Sequence, residues 1–137
     1  MIKKTSPDSR PDDLSFREKS RIVVAAALDK KADRPVLLDV RTLSSFADYF
    51  LICSGRSDRQ VQAIADAIVD SQKRIGRRPL GVEGHAEGRW VLIDCGDVIV
   101  HVFHEPVREF YNLEKLWYNA PRLDLEASLN HPVPFSP

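Results

Sequence analysis

The run Trp90-Val91-Leu92-Ile93-Asp94-Cys95-Gly96-Asp97-Val98-Ile99-Val100-His101-Val102-Phe103 constrains this chain more than any other stretch. Two β-branched, apolar runs flank Gly96-Asp97, and glycine takes the positive φ that a two-residue hairpin turn requires. Alternation puts Trp90, Leu92 and Asp94 on one face of the first strand and Val91, Ile93 and Cys95 on the other. The hairpin is apolar nearly throughout, yet a large aromatic stands beside carboxylates at its rim. That combination suits a contact surface better than a catalytic pocket.

The rest of the chain supplies elements to pack around this hairpin. Ser15-Phe16-Arg17-Glu18 matches a capping box and predicts a first helix from about residue 15 to Lys31, with Val23, Val24, Ala27 and Leu28 as its buried stripe. Val36–Val40 reads as a short strand, and Phe50–Cys53 as a strand covered on both faces, ending at Ser54-Gly55. Ser57-Asp58-Arg59-Gln60 is a second capping box. The helix it opens carries Val61, Ile64, Ala65, Ile68, Val69, Gln72 and Ile75 at helical spacing and stops at Gly76. Pro79–Val82 predicts a short edge strand, and Pro106 opens a final helix or pair of helices reaching about Tyr118. The order α-β-β-α-β-β-β-α predicts an α/β (α+β mixed) single domain: a mixed sheet of about five strands flanked by helices. Residues 1–14 are expected to be a disordered tail, residues 15–120 the folded domain, and residues 121–137 a second tail.

Composition narrows the function classes. Lysine plus arginine equals aspartate plus glutamate at 20 each, so the net charge is zero. Binding through phosphates draws on a basic excess, which argues against extensive direct nucleic-acid contact. A local basic cluster, Lys73, Arg74, Arg77 and Arg78, remains. Cys53 and Cys95 lie in apolar runs without a Cys-x-x-Cys spacing and read as buried small hydrophobes of a reducing compartment. The first residues lack the apolar core of a secretory signal, and Asp8, Asp12 and Asp13 argue against a transit peptide. No run approaches the roughly eighteen apolar residues of a membrane span. The expectation is a cytoplasmic protein with no membrane partner.

Catalytic and metal sites find little support. Ser54-Gly55-Arg56-Ser57 joins a strand to a helix start, where backbone N–H groups can cradle an anion. A nucleotidyl-transfer site also needs two carboxylates, two residues apart, on a following strand, and neither strand run after that helix has such a pair. A turn-and-cap role is the simpler reading. His101 and His104 point to opposite faces of an extended strand; Cys95 or Asp97 from the hairpin could complete a metal site, but the sequence does not demand one, and His101 reads as a hydrogen-bonded core or rim histidine. Ser54, Cys53 and His101 could meet across a sheet, but no nucleophile motif supports a catalytic group. No cofactor, catalytic residue or metal ligand is assigned. Phe110, Leu113, Leu116 and Trp117 follow helical spacing and read as core. Trp90, framed by Glu87-Gly88-Arg89, reads either as a protein-contact anchor or as simple core.

Several segments in this order carry a resemblance: Leu38-Asp39-Val40, Ala47-Asp48-Tyr49-Phe50-Leu51-Ile52-Cys53-Ser54-Gly55, Arg59-Gln60-Val61, Ala63-Ile64-Ala65-Asp66, Pro79-Leu80-Gly81-Val82-Glu83-Gly84, the hairpin, and Arg108-Glu109-Phe110-Tyr111-Asn112-Leu113-Glu114-Lys115-Leu116-Trp117. Together they span roughly residues 18 to 118, and the chain resembles the Iojap-like ribosomal silencing factor family. The resemblance implies a nucleotidyltransferase-like topology without enzymatic activity. It implies docking on the large ribosomal subunit through ribosomal protein fourteen, a steric block to small-subunit joining, and repression of translation. It also implies a homodimer. The contact residues expected on this basis are Trp90, Asp94, Asp97, Glu83 and Glu87, the last in a variable loop. Two other classes remain: a nucleotide-binding or nucleotidyltransferase-like enzyme at Ser54-Gly55-Arg56-Ser57, and an rRNA-binding large-subunit assembly factor using Lys73, Arg74, Arg77 and Arg78.

Overall fold

A computed structural model describes residues 9–125, with side chains from Lys19 onward. Ten elements follow one another: α1 (Ser9–Asp29), β1 (Asp33–Asp39), β2 (Tyr49–Gly55), α2 (Asp58–Arg74), β3 (Gly81–Glu83), β4 (Trp90–Asp94), β5 (Val98–His104), α3 (Glu105–Tyr111), α4 (Leu113–Leu116) and β6 (Arg122–Leu123). The strands form one mixed sheet in the order β3-β4-β5-β2-β1-β6. Only β2 and β5 run parallel, with α2, β3 and β4 in the crossover between them; the other neighbours are antiparallel.

The sheet separates two apolar layers. On one side α1 and α2 contribute Val23, Val24, Ala27, Val61, Ile64, Ala65 and Ile68 against Val91, Ile93, Val98, Val100 and Val102. Each fully buried valine or isoleucine among them contributes roughly 1.5–3 kcal/mol of transfer free energy. On the other side Leu38, Ile52 and Phe103 meet Val107, Leu113 and Trp117 from α3, α4 and the turn beyond, but these short helices cover only part of the sheet. That incomplete cover positions the candidate site.

Local chemistry explains the element ends. Ser57 Oγ accepts the Gln60 N–H at 3.0 Å, and Gln60 Oε1 accepts the Arg56 N–H at 2.7 Å, so the Ser54–Ser57 segment is a turn and cap. At the other end of α2, Gly76 has φ +74°. The Arg77 N–H reaches the Gln72 carbonyl at 2.8 Å and the Gly76 N–H the Lys73 carbonyl at 3.0 Å, a Schellman closure. The hairpin turn is the expected Gly96-Asp97, closed by the Cys95 N–H on the Val98 carbonyl at 2.9 Å.

Four expectations change. Helix α1 begins at Ser9, so the Ser15–Glu18 box falls inside it; of the expected N-terminal tail, residues 1–8 lie outside the described residues. Leu28 is partly exposed rather than buried, at the edge of the α1 stripe. A sixth strand, Arg122–Leu123, pairs with Leu37 and Leu38, so the chain stays on the sheet past residue 120; residues 126–137 lie outside the described ones. The last segment is the expected pair of helices, divided at Asn112, which takes φ +48°, and it is the burial of two of its residues that changes. With the break between them, Phe110 (79% exposed) and Leu116 (71% exposed) face outward rather than into the core, while Leu113 and Trp117 pack inward.

Candidate partner-binding face

The hydrogen-bond register aligns side chains in rows across the sheet face that α3 and α4 leave partly open. Directly opposed residues share a face. Asp94 of β4 stands opposite Ile99 of β5, which pairs with Phe50 of β2; Leu92 stands opposite His101, and Glu83 of β3 opposite Leu92. Trp90 faces Phe103 at the end of the same strand pair. Leu92, Ile99, Phe50 and Trp90 are all half-buried, so this is an apolar surface open to contact and edged by the carboxylates of Glu83 and Asp94.

Trp90 is neither a free surface residue nor simple core. Its ring centroid lies 4.8 Å from Phe103 and 5.0 Å from Tyr111, and its indole N–H donates to His101 Nδ1 at 3.2 Å. The loop before it is shaped by two glycines. A Cβ on Gly84, at φ +84°, would stand 2.2 Å from the Trp90 carbonyl oxygen, and one on Gly88 would stand 2.7 Å from that of Asp58. Gln62 Nε2 donates to the His85 and Ala86 carbonyls at 2.9 and 3.1 Å, and His85 Nε2 meets Asp66 Oδ1 at 2.8 Å. Helix α2 thereby fixes the point from which β4 departs.

His101 is buried beneath this surface. Burial pushes its imidazole down to about 4, so the ring is neutral at physiological pH. An indole N–H can only donate, so Nδ1 accepts and the ring proton sits on Nε2. That Nε2 is buried and has no hydrogen-bond partner among the described residues. An unmade hydrogen bond of this kind costs roughly 1–3 kcal/mol.

Of the five expected contact residues, the structure brings Glu83, Trp90 and Asp94 onto one face. One oxygen of Asp94 accepts the Gly96 N–H at 2.9 Å. Asp97 already holds an internal partner: Lys19 Nζ of α1 donates to its Oδ1 at 2.7 Å and to the Cys95 carbonyl at 2.9 Å. Glu87 is exposed in the loop tied to α2, away from the strand rows. Sequence reasoning missed Tyr111 and Phe110, which stack edge-to-face at 5.0 Å and extend the aromatic surface beside Trp90. The signal was Asn112, a residue that enters the left-handed region more readily than most and so interrupts the helical spacing.

Among the described residues, the groups weighed for catalysis are held apart or engaged internally. Cys53 opposes Val102 on the α1–α2 side of the sheet, while His101 lies on the other side. Burial pushes the Cys53 thiol up to about 12 and the Cys95 thiol up to about 11, which leaves neither nucleophilic near neutrality. Ser54 is fully buried; its Oγ donates to Glu105 Oε1 at 2.6 Å and accepts from Arg108 Nη1 at 3.0 Å. Hydrogen bonding from Ser54 holds the Glu105 carboxyl below its ordinary range, as befits an internal staple. Among the described residues no group of three or more His, Cys, Asp or Glu could hold a metal ion. Lys73, Arg74, Arg77 and Arg78 are exposed at the end of α2 and beyond it.

Comparison with known proteins decides the family. The model of the family described as ribosomal silencing factor during starvation matches residues 13–134. The chain belongs to the ribosomal silencing factor family. It is 52% identical over 110 residues to ribosomal silencing factor RsfS of Bacillus subtilis, covering 80% of this chain and 93% of that protein. It is 46% identical over 117 residues to the RsfS of Halalkalibacterium halodurans, covering 85% of this chain and all of the relative. Among solved structures, a crystal structure of a Chromobacterium violaceum protein superposes with a TM-score of 0.72 at 39% identity, covering 74% of this chain and 84% of that one. The described residues of this family member form one mixed α/β sheet domain, and no helix among them is long and apolar enough to cross a membrane.

Proposed function

We propose that the protein binds the large ribosomal subunit through its ribosomal protein fourteen and blocks small-subunit joining by occupying the surface where the two subunits meet. The observation that carries this reading is the open face itself: Trp90, Leu92, Ile99 and Phe50 half-buried in register, edged by Glu83 and Asp94, in a member of the ribosomal silencing factor family. Aromatic residues in half-covered apolar settings are the side chains that anchor protein contacts. Carboxylates at the edge of such a patch steer it towards a basic partner and set its orientation more than they raise affinity. The mechanism is steric occupancy and involves no reaction. In this reading the protein acts in the cytoplasm, represses translation and forms a homodimer.

Co-sedimentation with separated ribosomal subunits tests this directly. The protein should migrate with large subunits and not with small ones, and added first it should lower the yield of joined ribosomes. Equal binding to both subunits, or undisturbed joining at saturation, overturns the reading. Binding to isolated rRNA with a steep salt dependence would instead favour the basic cluster Lys73, Arg74, Arg77 and Arg78 as the contact.

A further inference from the structure

Among the described residues, the buried polar group on the open face that lacks a full set of partners is His101, and its position in the rows explains why. It sits in β5 opposite Leu92, with Phe50 at 4.9 Å on one side and Trp90 at 6.0 Å on the other. An apolar side chain here would leave no orphaned N–H. The imidazole does one thing that a leucine or phenylalanine does not: it accepts the Trp90 indole N–H at 3.2 Å.

We propose that His101 is a positioning residue of the partner-binding face, holding the Trp90 indole against Phe103 and Tyr111 so that its open edge is ordered before the partner arrives. The proposal rests on the reading of this face as the ribosomal contact. Trp90 stands at the first residue of β4, directly after a loop, where a side chain has freedom on one side. Phe103 and Tyr111 limit the tilt of the indole, but these tilted ring contacts leave open which of its edges faces the sheet. A hydrogen bond from Nε1 to a ring that is itself buried removes that freedom. An anchor already ordered in the free protein loses less conformational entropy on binding, which lowers the dissociation constant without any new contact. The fold tolerates an unsatisfied Nε2 at this position because the other nitrogen does this work.

The test uses the full chain and two variants. In His101→Asn the amide oxygen occupies the place of Nδ1 and can still accept the indole N–H, whereas His101→Leu removes the acceptor and the orphaned donor together. In the free proteins, the Trp90 indole N–H resonance, assigned with Trp90→Phe, should keep its hydrogen-bonded shift in the wild type and His101→Asn and lose it in His101→Leu. Affinity for purified bacterial large subunits should fall by about tenfold or more in His101→Leu and stay within about threefold of wild type in His101→Asn, the difference expected for one hydrogen bond. Melting temperature separates positioning from folding, because His101→Leu should melt no lower than His101→Asn. Wild-type affinity in His101→Leu, or equal losses in both variants, overturns the positioning role and leaves the partner assignment standing. Failure of the wild type itself to bind large subunits overturns the partner assignment and this inference with it.

Discussion

Arg108 of α3 donates from Nη1 to the Ser54 hydroxyl of β2 at 3.0 Å, and this contact secures the helices that border the open face. The guanidinium is almost fully buried and every side of it is engaged. Nη2 donates to Glu114 Oε2 at 2.7 Å and to the Arg34 carbonyl at 2.9 Å, and Nε reaches Glu114 Oε1 at 3.2 Å. The Arg108 hydrogen bond holds the Glu114 carboxyl below its ordinary range.

Arg108→Ala is therefore expected to cost about 3–5 kcal/mol of stability, since it leaves Ser54 and Glu114 without their buried partner. Arg108→Lys should recover little of this, because a single ammonium does not reproduce the fork that bridges α4, β1 and β2. Denaturant unfolding of both variants measures the loss; a midpoint unchanged in Arg108→Ala would show the network to be dispensable.

Trp90→Ala should affect both binding and stability, because the ring is half-buried on Phe103 and Tyr111 yet open on its outer side. The expected loss of affinity for large subunits is about 2 kcal/mol or more, with a stability loss of about 1–3 kcal/mol. Thermal melting and co-sedimentation on the same variant give the two numbers. A stable variant with full binding would remove Trp90 from the contact.

Asp97→Ala is expected to act on the fold before it acts on any partner. Its carboxylate pairs with Lys19, whose ammonium is nearly buried, and removal leaves that charge with the Cys95 carbonyl as its one partner among the described residues. A loss of about 1–3 kcal/mol follows, at the lower end if the lysine swings into solvent. Urea unfolding checks it, and an additional Lys19→Met substitution should recover part of the loss.

Acid should destabilise the protein through His101. Its folded-state value is pushed down to about 4 by burial, against an ordinary 6.5. Between those values the unfolded chain takes up a proton that the folded protein refuses, so stability falls as pH drops through this window and levels off below it. The contribution lost is about 3 kcal/mol at most. His101→Leu should flatten the stability profile between pH 6.5 and 4 relative to wild type, measured by urea unfolding at each pH; an unchanged slope would mean the ring is not held neutral.

The elements were written in local sequence wherever a local interaction decides them. Ser57 and Gln60 cap α2 within four residues, Gly76 closes it within two, and Gly96 makes the hairpin turn through its own φ. The alternation that set Trp90, Leu92 and Asp94 on one face is a property of the extended backbone, and β4 keeps it. The family, too, was legible, because the order of these segments is itself a sequence property. Long-range register decided the rest. Nothing near Asp97 foretold Lys19, 78 residues away, and nothing near Arg108 foretold Ser54, 54 residues away. Phe110 and Leu116 read as core because helical spacing assumes an unbroken helix; the left-handed Asn112 stands between them, so that spacing does not carry across, and both are exposed. The pairing of His101 with Trp90 depends on which strands lie side by side and in what register. Sequence periodicity assigns a residue to a face, but only the assembled sheet chooses its neighbours on that face.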